Sequence, residues 1–345
     1  MNIRALFIYT HFSTFVRGDA NILGRKYNVS HLKVDNKSGI SLIISLIKQL
    51  FYLLFNIRKY RFVYIWFADY HSFIPALMCR IFGVPLFLVI GGYDICREKK
   101  LNYGSFTNPV RAFCSLFSIK NATVNLCVSQ NIERVIKKIA PVSKTKLLYN
   151  GITLEENLSN IEKEIKYDFL CVALVSTIKA FYIKGIDRFN QLAKYMPDKK
   201  FILIGCSQDI FSLCGITPSE NLTLLPKMEH KNLTGYYLSS HVYCQLSRRE
   251  SFSLSLAEAM YYNCIPLITN TGGMPEVTSH LGYIADGNTP RNLLEMAEKA
   301  HMQKSSSIYS ERIKDKFTIA HREAGLNKII DLHLNSVTKN KKRPA

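Results

Sequence analysis

The chain reads as an α/β protein of two domains, each built on a parallel sheet. Short, continuous apolar runs recur along it, starting with Arg4 to Tyr9. Strands buried on both faces look like this, because a parallel sheet is covered on each side. At 345 residues the length suits two domains. The strand–helix pattern also restarts after a polar, charge-rich stretch, Glu155 to Lys166, which is the expected domain boundary.

In the first half, strands are expected at Arg4–Tyr9, Tyr27–Val29, Phe62–Phe67, Pro85–Ile90 and Thr123–Ser129, with another ending in Asn150-Gly151. Ligands of open α/β sheets bind at the carboxyl ends of strands. That places His11, Ser13 and Arg17 after the first strand, His71 after the Phe62–Phe67 run, and Gly91, Gly92 and Asp94 in the turn after Ile90. Ile40 to Ile57 is nearly all apolar and long enough to span a bilayer. Lys48-Gln49 sits at its middle, however, and a central charge costs about 2.5–3.5 kcal/mol on insertion. An amphipathic or buried helix resting on a bilayer face is expected instead. Asn131 to Ala140 is a short basic helix stopped by Pro141.

In the second half, Asp168 to Val175 is a strand and Ser176 to Ile183 a loop. Lys184-Gly185-Ile186-Asp187 opens a helix that Pro197 closes. A lysine is slightly disfavoured at a helix start, so Lys184 there hints at an anionic ligand. Lys200–Gly205, Thr223–Leu225 and Val242–Leu246 are further strands, and Leu233–Ser239 is a helix. The stretch Arg248 to Val277 then reads as loop, helix, buried strand, glycine turn, helix. Glu250 and Glu258 bracket a serine-rich turn in which Ser251, Ser253 and Ser255 are candidate caps, and Ser255 with Glu258 has capping-box spacing. A helix start with its unpaired N–H groups is a ready site for a diphosphate. Gly282–Ile284 is a last strand, Asp286-Gly287-Asn288 a turn, and Pro290–Met302 and Ser310–Leu334 are helical by periodicity.

The segment Glu250–Met260, E-S-F-S-L-S-L-A-E-A-M, resembles the E-x7-E signature of retaining glycosyltransferases of family 4. That family has the GT-B fold, two Rossmann-like domains facing across a cleft. Its opening usually reads E-G-F-G; here Ser251 and Ser253 replace the glycines, leaving less room for close approach. N-T-G-G-M-P-E-V, Asn270 to Val277, resembles the segment after the next strand. Lys184-Gly185 resembles the K-G piece whose lysine neutralises the donor diphosphate. The arginine usually found just before it is replaced by Leu174-Val175-Ser176, with Lys179 as a substitute cation. Lys227-Met228-Glu229 resembles the loop whose backbone reads the base. In many relatives the turn after the fourth strand reads H-G-x-D, its histidine touching the donor sugar. Gly91 stands there in this chain, which leaves His71 and His11 as substitutes, and the glycine pair common in the first loop is missing. The likeness covers residues 140–290 by motif, and residues 1–130 by strand order and the G-G-Y-D turn.

The resemblance implies an N-terminal acceptor-binding domain, 1–155 plus a C-terminal helix from about 318 to 345 crossing back to it, and a nucleotide-sugar domain, 156–317. It implies catalytic Glu250, Lys184 and His71. Donor contacts would come from Ser251, Phe252, Ser253, Leu254, Glu258, Lys179 and Met228. The acceptor side would hold His11, Ser13, Arg17, Gly91, Gly92 and Asp94. The expected reaction is metal-independent sugar transfer from a nucleotide-diphosphate sugar to a glycan or lipid-linked acceptor, in bacterial cell-surface polysaccharide synthesis. No cofactor is expected beyond that co-substrate. Two other activities fit the same residues: a sugar-nucleotide epimerase of the same fold, or a non-enzymatic basic binder of membrane or nucleic acid.

Charge bears on the partners. The net charge is +19, and residues 1–150 hold 21 Lys+Arg against 6 Asp+Glu while 151–345 hold 24 against 20. The basic half should feel an anionic surface, and peripheral contact with an anionic membrane is expected. Aromatics lie in apolar runs rather than among the basic residues, which argues against nucleic acid. Nine cysteines without a C-x-x-C pair read as reduced core thiols. Asn2-Ile3-Arg4 leads straight into a strand-like run, so no signal peptide is expected, and the expected location is cytoplasmic at the inner face of the membrane.

Overall fold

A computed structural model describes residues 3–35, 39–154, 163–287 and 289–340. The chain forms two compact units, Met1–Asn150 with Ile319–Ala345, and Gly151–Thr318.

The first unit alternates β1 (Arg4–Tyr9), α1 (Thr14–Lys26), β2 (Asn28–Lys33), α2 (Ile40–Asn56), β3 (Phe62–Trp66), α3 (Tyr70–Phe82), β4 (Leu86–Ile90), α4 (Pro109–Asn121), β5 (Val124–Cys127), α5 (Gln130–Ile139) and β6 (Thr145–Leu147). The strands are all parallel, in the order β2-β1-β3-β4-β5-β6. Every residue of the central strands β3, β4 and β5 is buried, which is why they read as unbroken apolar runs. Edge strand β2, N-V-S-H-L-K, has no fully buried residue and is mixed in polarity instead.

The second unit runs β7 (Tyr167–Val175), α6 (Ile178–Lys184), α7 (Ile186–Tyr195), β8 (Phe201–Cys206), α8 (Gln208–Leu213), β9 (Leu222–Leu225), α9 (Thr234–Leu238), β10 (Ser240–Gln245), α10 (Leu254–Tyr261), β11 (Ile265–Thr269), α11 (Met274–Thr278), β12 (Tyr283–Ala285), α12 (Pro290–Met302) and α13 (Ile308–Lys316). Its parallel sheet has the order β12-β11-β10-β7-β8-β9. The last helix, α14 (Ile319–Asn340), belongs to the first unit.

Two elements differ from the sequence expectation. Ser176–Ile183 is largely helical rather than a loop: Thr177 caps α6 by accepting the Ala180 N–H at 3.1 Å. Left-handed Gly185, φ +71, ends it. Lys184 therefore lies in the last turn of a helix, where a cation suits the dipole, and the helix-start hint of a ligand falls away. Ser310–Leu334 is two helices, broken at Phe317-Thr318, where the chain pairs with Ile152. Of the expected boundary stretch, 155–162 lie outside the described residues, as do Asn288 of the turn and residues 341–345 of the expected C-terminal helix.

A buried ion pair ties α14 to the first unit. Arg322 sends Nε to Asp19 Oδ1 at 2.5 Å and Nη2 to Oδ2 at 2.7 Å. Tyr64 Oη and Trp66 Nε1 donate to the same carboxylate at 2.6 and 2.7 Å. Arg322 Nη1 donates to the carbonyls of Leu148 and Tyr149. Burial disfavours the guanidinium charge, but Asp19 outweighs it and holds the pKa above its ordinary value.

Candidate functional site

In the second unit, β7, β10 and β11 are neighbours, so the loops leaving their carboxyl ends meet at one edge of the sheet. The segment after β10, Leu246 to Ser253, carries Glu250 and is held from both sides. On one side, the Arg248 N–H donates to the Ile183 carbonyl at 2.8 Å, and the Arg248 guanidinium makes a two-pronged bond to Asp187 at 2.7 Å. Gly185 packs so tightly that a Cβ would lie 1.9 Å from the Leu246 carbonyl oxygen. On the other side, Thr269 Oγ1 donates to the Ser247 carbonyl at 2.6 Å and the Gly273 N–H to the Ser251 carbonyl at 3.1 Å. Gly272, φ +58, leaves no space at all: a Cβ would sit 1.5 Å from the Glu250 carbonyl oxygen.

This clamp brings together two of the expected catalytic groups. Lys184 Nζ lies 2.8 Å from Glu250 Oε2, and Glu250 Oε1 accepts the Ser251 N–H at 3.0 Å. The Glu250 side chain is 14% exposed and that of Lys184 32%, so the pair is open at one end. Burial works against the ammonium, but Glu250 outweighs it and the Lys184 pKa rises; Lys184 is charged at neutral pH.

The start of α10 stands beside the pair. Its cap is Ser253, not Ser255: Ser253 Oγ accepts the Leu256 N–H at 3.3 Å and donates to Gln245 Oε1 at 3.1 Å. Ser253 has φ +72, a left-handed conformation that glycine adopts at no steric cost. Glu258 closes no capping box. Its carboxylate meets His230 Nε2 at 2.7 Å and accepts from Tyr237 Oη at 3.0 Å. Neither partner was expected from the sequence, because His230 and Tyr237 stand 28 and 21 residues away. Ser251 and Leu254 are partly exposed. Phe252 is buried with its ring 5.4 Å from that of Phe317, so only its backbone is placed for a ligand. Lys179 is exposed on α6, and Met228 is half-buried in the loop after β9.

In the first unit the carboxyl ends of β1, β3 and β4 are likewise neighbours. His11 and Arg17 are exposed there, the Arg17 guanidinium 5.8 Å from the centre of the Phe12 ring, and Ser13 is half-buried at the start of α1. Two expectations need correction. His71 is 1% exposed, its Nε2 lies 2.9 Å from the Trp66 carbonyl oxygen, and burial lowers its pKa. In this arrangement the ring presents no face to a substrate. Asp94 is also fully buried: it accepts the N–H groups of Ala68, Gly91 and Gly92 at 3.1, 3.2 and 2.6 Å. Burial pushes its pKa up to about 6 despite these three donors. Asp94 shapes the turn rather than facing an acceptor. Gly91 also has a visible reason. The ring of Phe67, itself at φ +69, lies 2.1 Å from where a Gly91 Cβ would be, so a side chain here, histidine included, requires that ring to move aside.

Residues 177–315 match the family model for glycosyl transferases, group 1. Over 149 residues, 41% of this chain, the sequence is 27% identical to a subunit of phosphatidylinositol N-acetylglucosaminyltransferase from Homo sapiens; the match spans 30% of that protein, less than a third of its length. Among solved structures, the chain is similar to sucrose-phosphate synthase of Thermosynechococcus elongatus (TM-score 0.76, 12% identity, 97% of this chain and 100% of that one). It is also similar to Anabaena HepE in complex with UDP and glucose (TM-score 0.69, 13% identity, 96% and 100%). A third likeness is to the trehalose 6-phosphate synthase of Burkholderia multivorans (TM-score 0.70, 9% identity, 100% and 100%). The two six-stranded parallel sheets with their helices match glycosyltransferase structures of the GT-B fold.

Proposed function

We propose that the chain is a retaining, metal-independent glycosyltransferase that moves a sugar from a nucleotide-diphosphate sugar to a glycan or lipid-linked acceptor. The supporting observation is the Lys184–Glu250 pair, 2.8 Å apart, beside the start of α10. In the reaction the bond from the anomeric carbon to the diphosphate oxygen breaks, and its electron pair leaves with the diphosphate. An acceptor hydroxyl oxygen bonds to that carbon, and its proton passes to the leaving phosphate. Negative charge thus grows on the diphosphate, where the Lys184 ammonium and the amides of the Ser251–Ser255 turn answer it. Positive charge grows on the anomeric carbon, where Glu250 balances it and fixes sugar hydroxyls. Glu258 takes the ribose hydroxyls in place of its exposed partner His230. The first unit takes the acceptor, with His11 and Arg17 as the groups open to it, whereas the Ser13 hydroxyl is enclosed. The setting we assign is cell-surface polysaccharide synthesis on the cytoplasmic side of the membrane.

The test is nucleotide release from a donor panel, with and without glycan acceptors. UDP sugars come first, since Anabaena HepE was crystallised with UDP and glucose. An N-acetylglucosamine donor follows, as the human relative's name suggests. Glu250→Gln and Lys184→Met should each lower kcat by about 10²–10³. The double variant should lose little more than either single one, because the two groups act as a unit. Chelators should leave turnover unchanged. Full activity in Glu250→Gln would sink the proposal. Interconversion of donors without acceptor would instead favour an epimerase, and salt-sensitive polyanion binding without turnover a binding protein.

A further inference from the structure

Helix α2 carries a run of exposed large apolar side chains. Ile40, Ile43, Ile44, Ile47, Phe51, Leu54 and Phe55 are all exposed, Ile40 and Phe55 to 76% and 77%. At helical spacing these seven fall within about 120° of the helix circumference. The opposite side is docked: Leu53 and Ile57 are fully buried, and buried Gln49 Nε2 donates to the His71 carbonyl of α3 at 2.9 Å. The helix is long and apolar enough to cross a membrane, but a crossing helix would have to give up that docked side. One packed face and one bare apolar face make the geometry of a helix lying in a lipid interface.

Charge selects the kind of surface. From Ile40 to Ile90 there are five Lys and Arg, namely Lys48, Arg58, Lys59, Arg61 and Arg80, and a single acid, Asp69. Asp69 is buried and bonded by Arg111 at 2.6 Å, so it offsets none of them at the surface. Lys48 is exposed at the edge of the apolar stripe, and Arg58 and Lys59 are exposed just past its end. The exposed acid Asp35 sits at the start of the helix, where Ser41 Oγ donates to it at 3.2 Å. The three cations along one edge and past the far end outnumber it and match a bilayer with anionic headgroups, the apolar side chains entering the acyl boundary and the cations staying among the phosphates.

We propose that α2 is an interfacial anchor: its Ile/Phe face inserts into the surface of an anionic lipid bilayer, with Lys48, Arg58 and Lys59 on the headgroups. The test is sedimentation of the full chain with phosphatidylcholine vesicles, with and without added phosphatidylglycerol. The wild type should pellet with the anionic vesicles, less so as salt rises, and should be released by an alkaline wash. Ile47→Glu with Phe51→Glu should weaken this binding at least about tenfold, and Lys48→Glu with Lys59→Glu by about the same. All four side chains are solvent-facing, so an unchanged melting temperature shows that the variants fold. Wild-type chain left in the supernatant, or apolar-face variants that pellet equally well, overturns the proposal. So does resistance to the alkaline wash, which marks a spanning helix. A wild-type dimer that Ile47→Glu with Phe51→Glu splits into monomers, without vesicle binding, makes the face a contact between copies and likewise overturns it. Vesicle binding is read without turnover, so its outcome is separate from that of the transfer reaction.

Discussion

Gly272→Ala should destabilise the second unit by at least about 3 kcal/mol, and the Glu250 segment should lose its shape in whatever remains folded. Two effects add. At φ +58 a side chain is strained by about 1–2 kcal/mol. Overlap costs more: the new Cβ would lie 1.5 Å from the Glu250 carbonyl oxygen, a backbone atom that cannot rotate aside. The turn after β11 and the Glu250 segment must then part, breaking the Gly273–Ser251 backbone bond. A fall of roughly 6–12 °C in melting temperature is expected, together with loss of the thermal shift that the proposed function expects donor nucleotides to give the wild type. Gly215→Ala is the control. Its φ is similar, +66, but nothing lies within 4 Å of the new Cβ, so only the strain should appear. Equal effects at the two glycines would mean that close approach to Glu250 does not matter.

Arg322→Met should cost about 3–5 kcal/mol, because it strands the Asp19 carboxylate in the interior with only Tyr64 and Trp66 as donors. Both ionised side chains are almost fully buried, 3% and 0% exposed, so neither can recover by reaching water. The helix that carries Arg322 is the last of the chain and returns to the first unit from more than three hundred residues away. Its docking to α1 is reinforced by the surface pairs Arg25–Glu323 and Lys26–Asp331, but exposed pairs contribute little. Release of α14 should therefore appear in limited proteolysis before global unfolding. Replacing Asp19 as well, by Asn, removes the stranded charge and should restore much of the loss in a double-variant cycle. A single-variant loss under about 1 kcal/mol would show that the α14 junction does not depend on this pair.

Most of the fold was legible in the sequence, for a local reason. A strand buried on both faces must be apolar throughout, so β1 and β4 stood out within a residue or so of their ends. Where the local signal was weak, the expectation failed. The seven residues of α6 carry no clear helical period, and their helix depends on the Thr177 cap and the Gly185 stop. The break between α13 and α14 carries no glycine or proline; it is placed by the crossing from one unit to the other.

The site divides along the same line. Residue types and spacing marked the serine-rich turn between two acids, and the family resemblance added the lysine before a glycine and the glycine pair after the next strand. Only the folded chain brings Lys184 and Glu250 together across 66 residues and turns Asp187 onto Arg248. It alone encloses His71 and Asp94, which looked available as loop residues after strands. It also accounts for Gly91 and Gly272, through a Phe67 ring and a Glu250 carbonyl that lie far off in sequence and almost touching in space. Apolar periodicity is a property of neighbours along the chain, so the sequence by itself determined the elements. The partner of a polar group, and the room beside a glycine, depend on which segments the sheets bring side by side, and that was decided only by the tertiary structure.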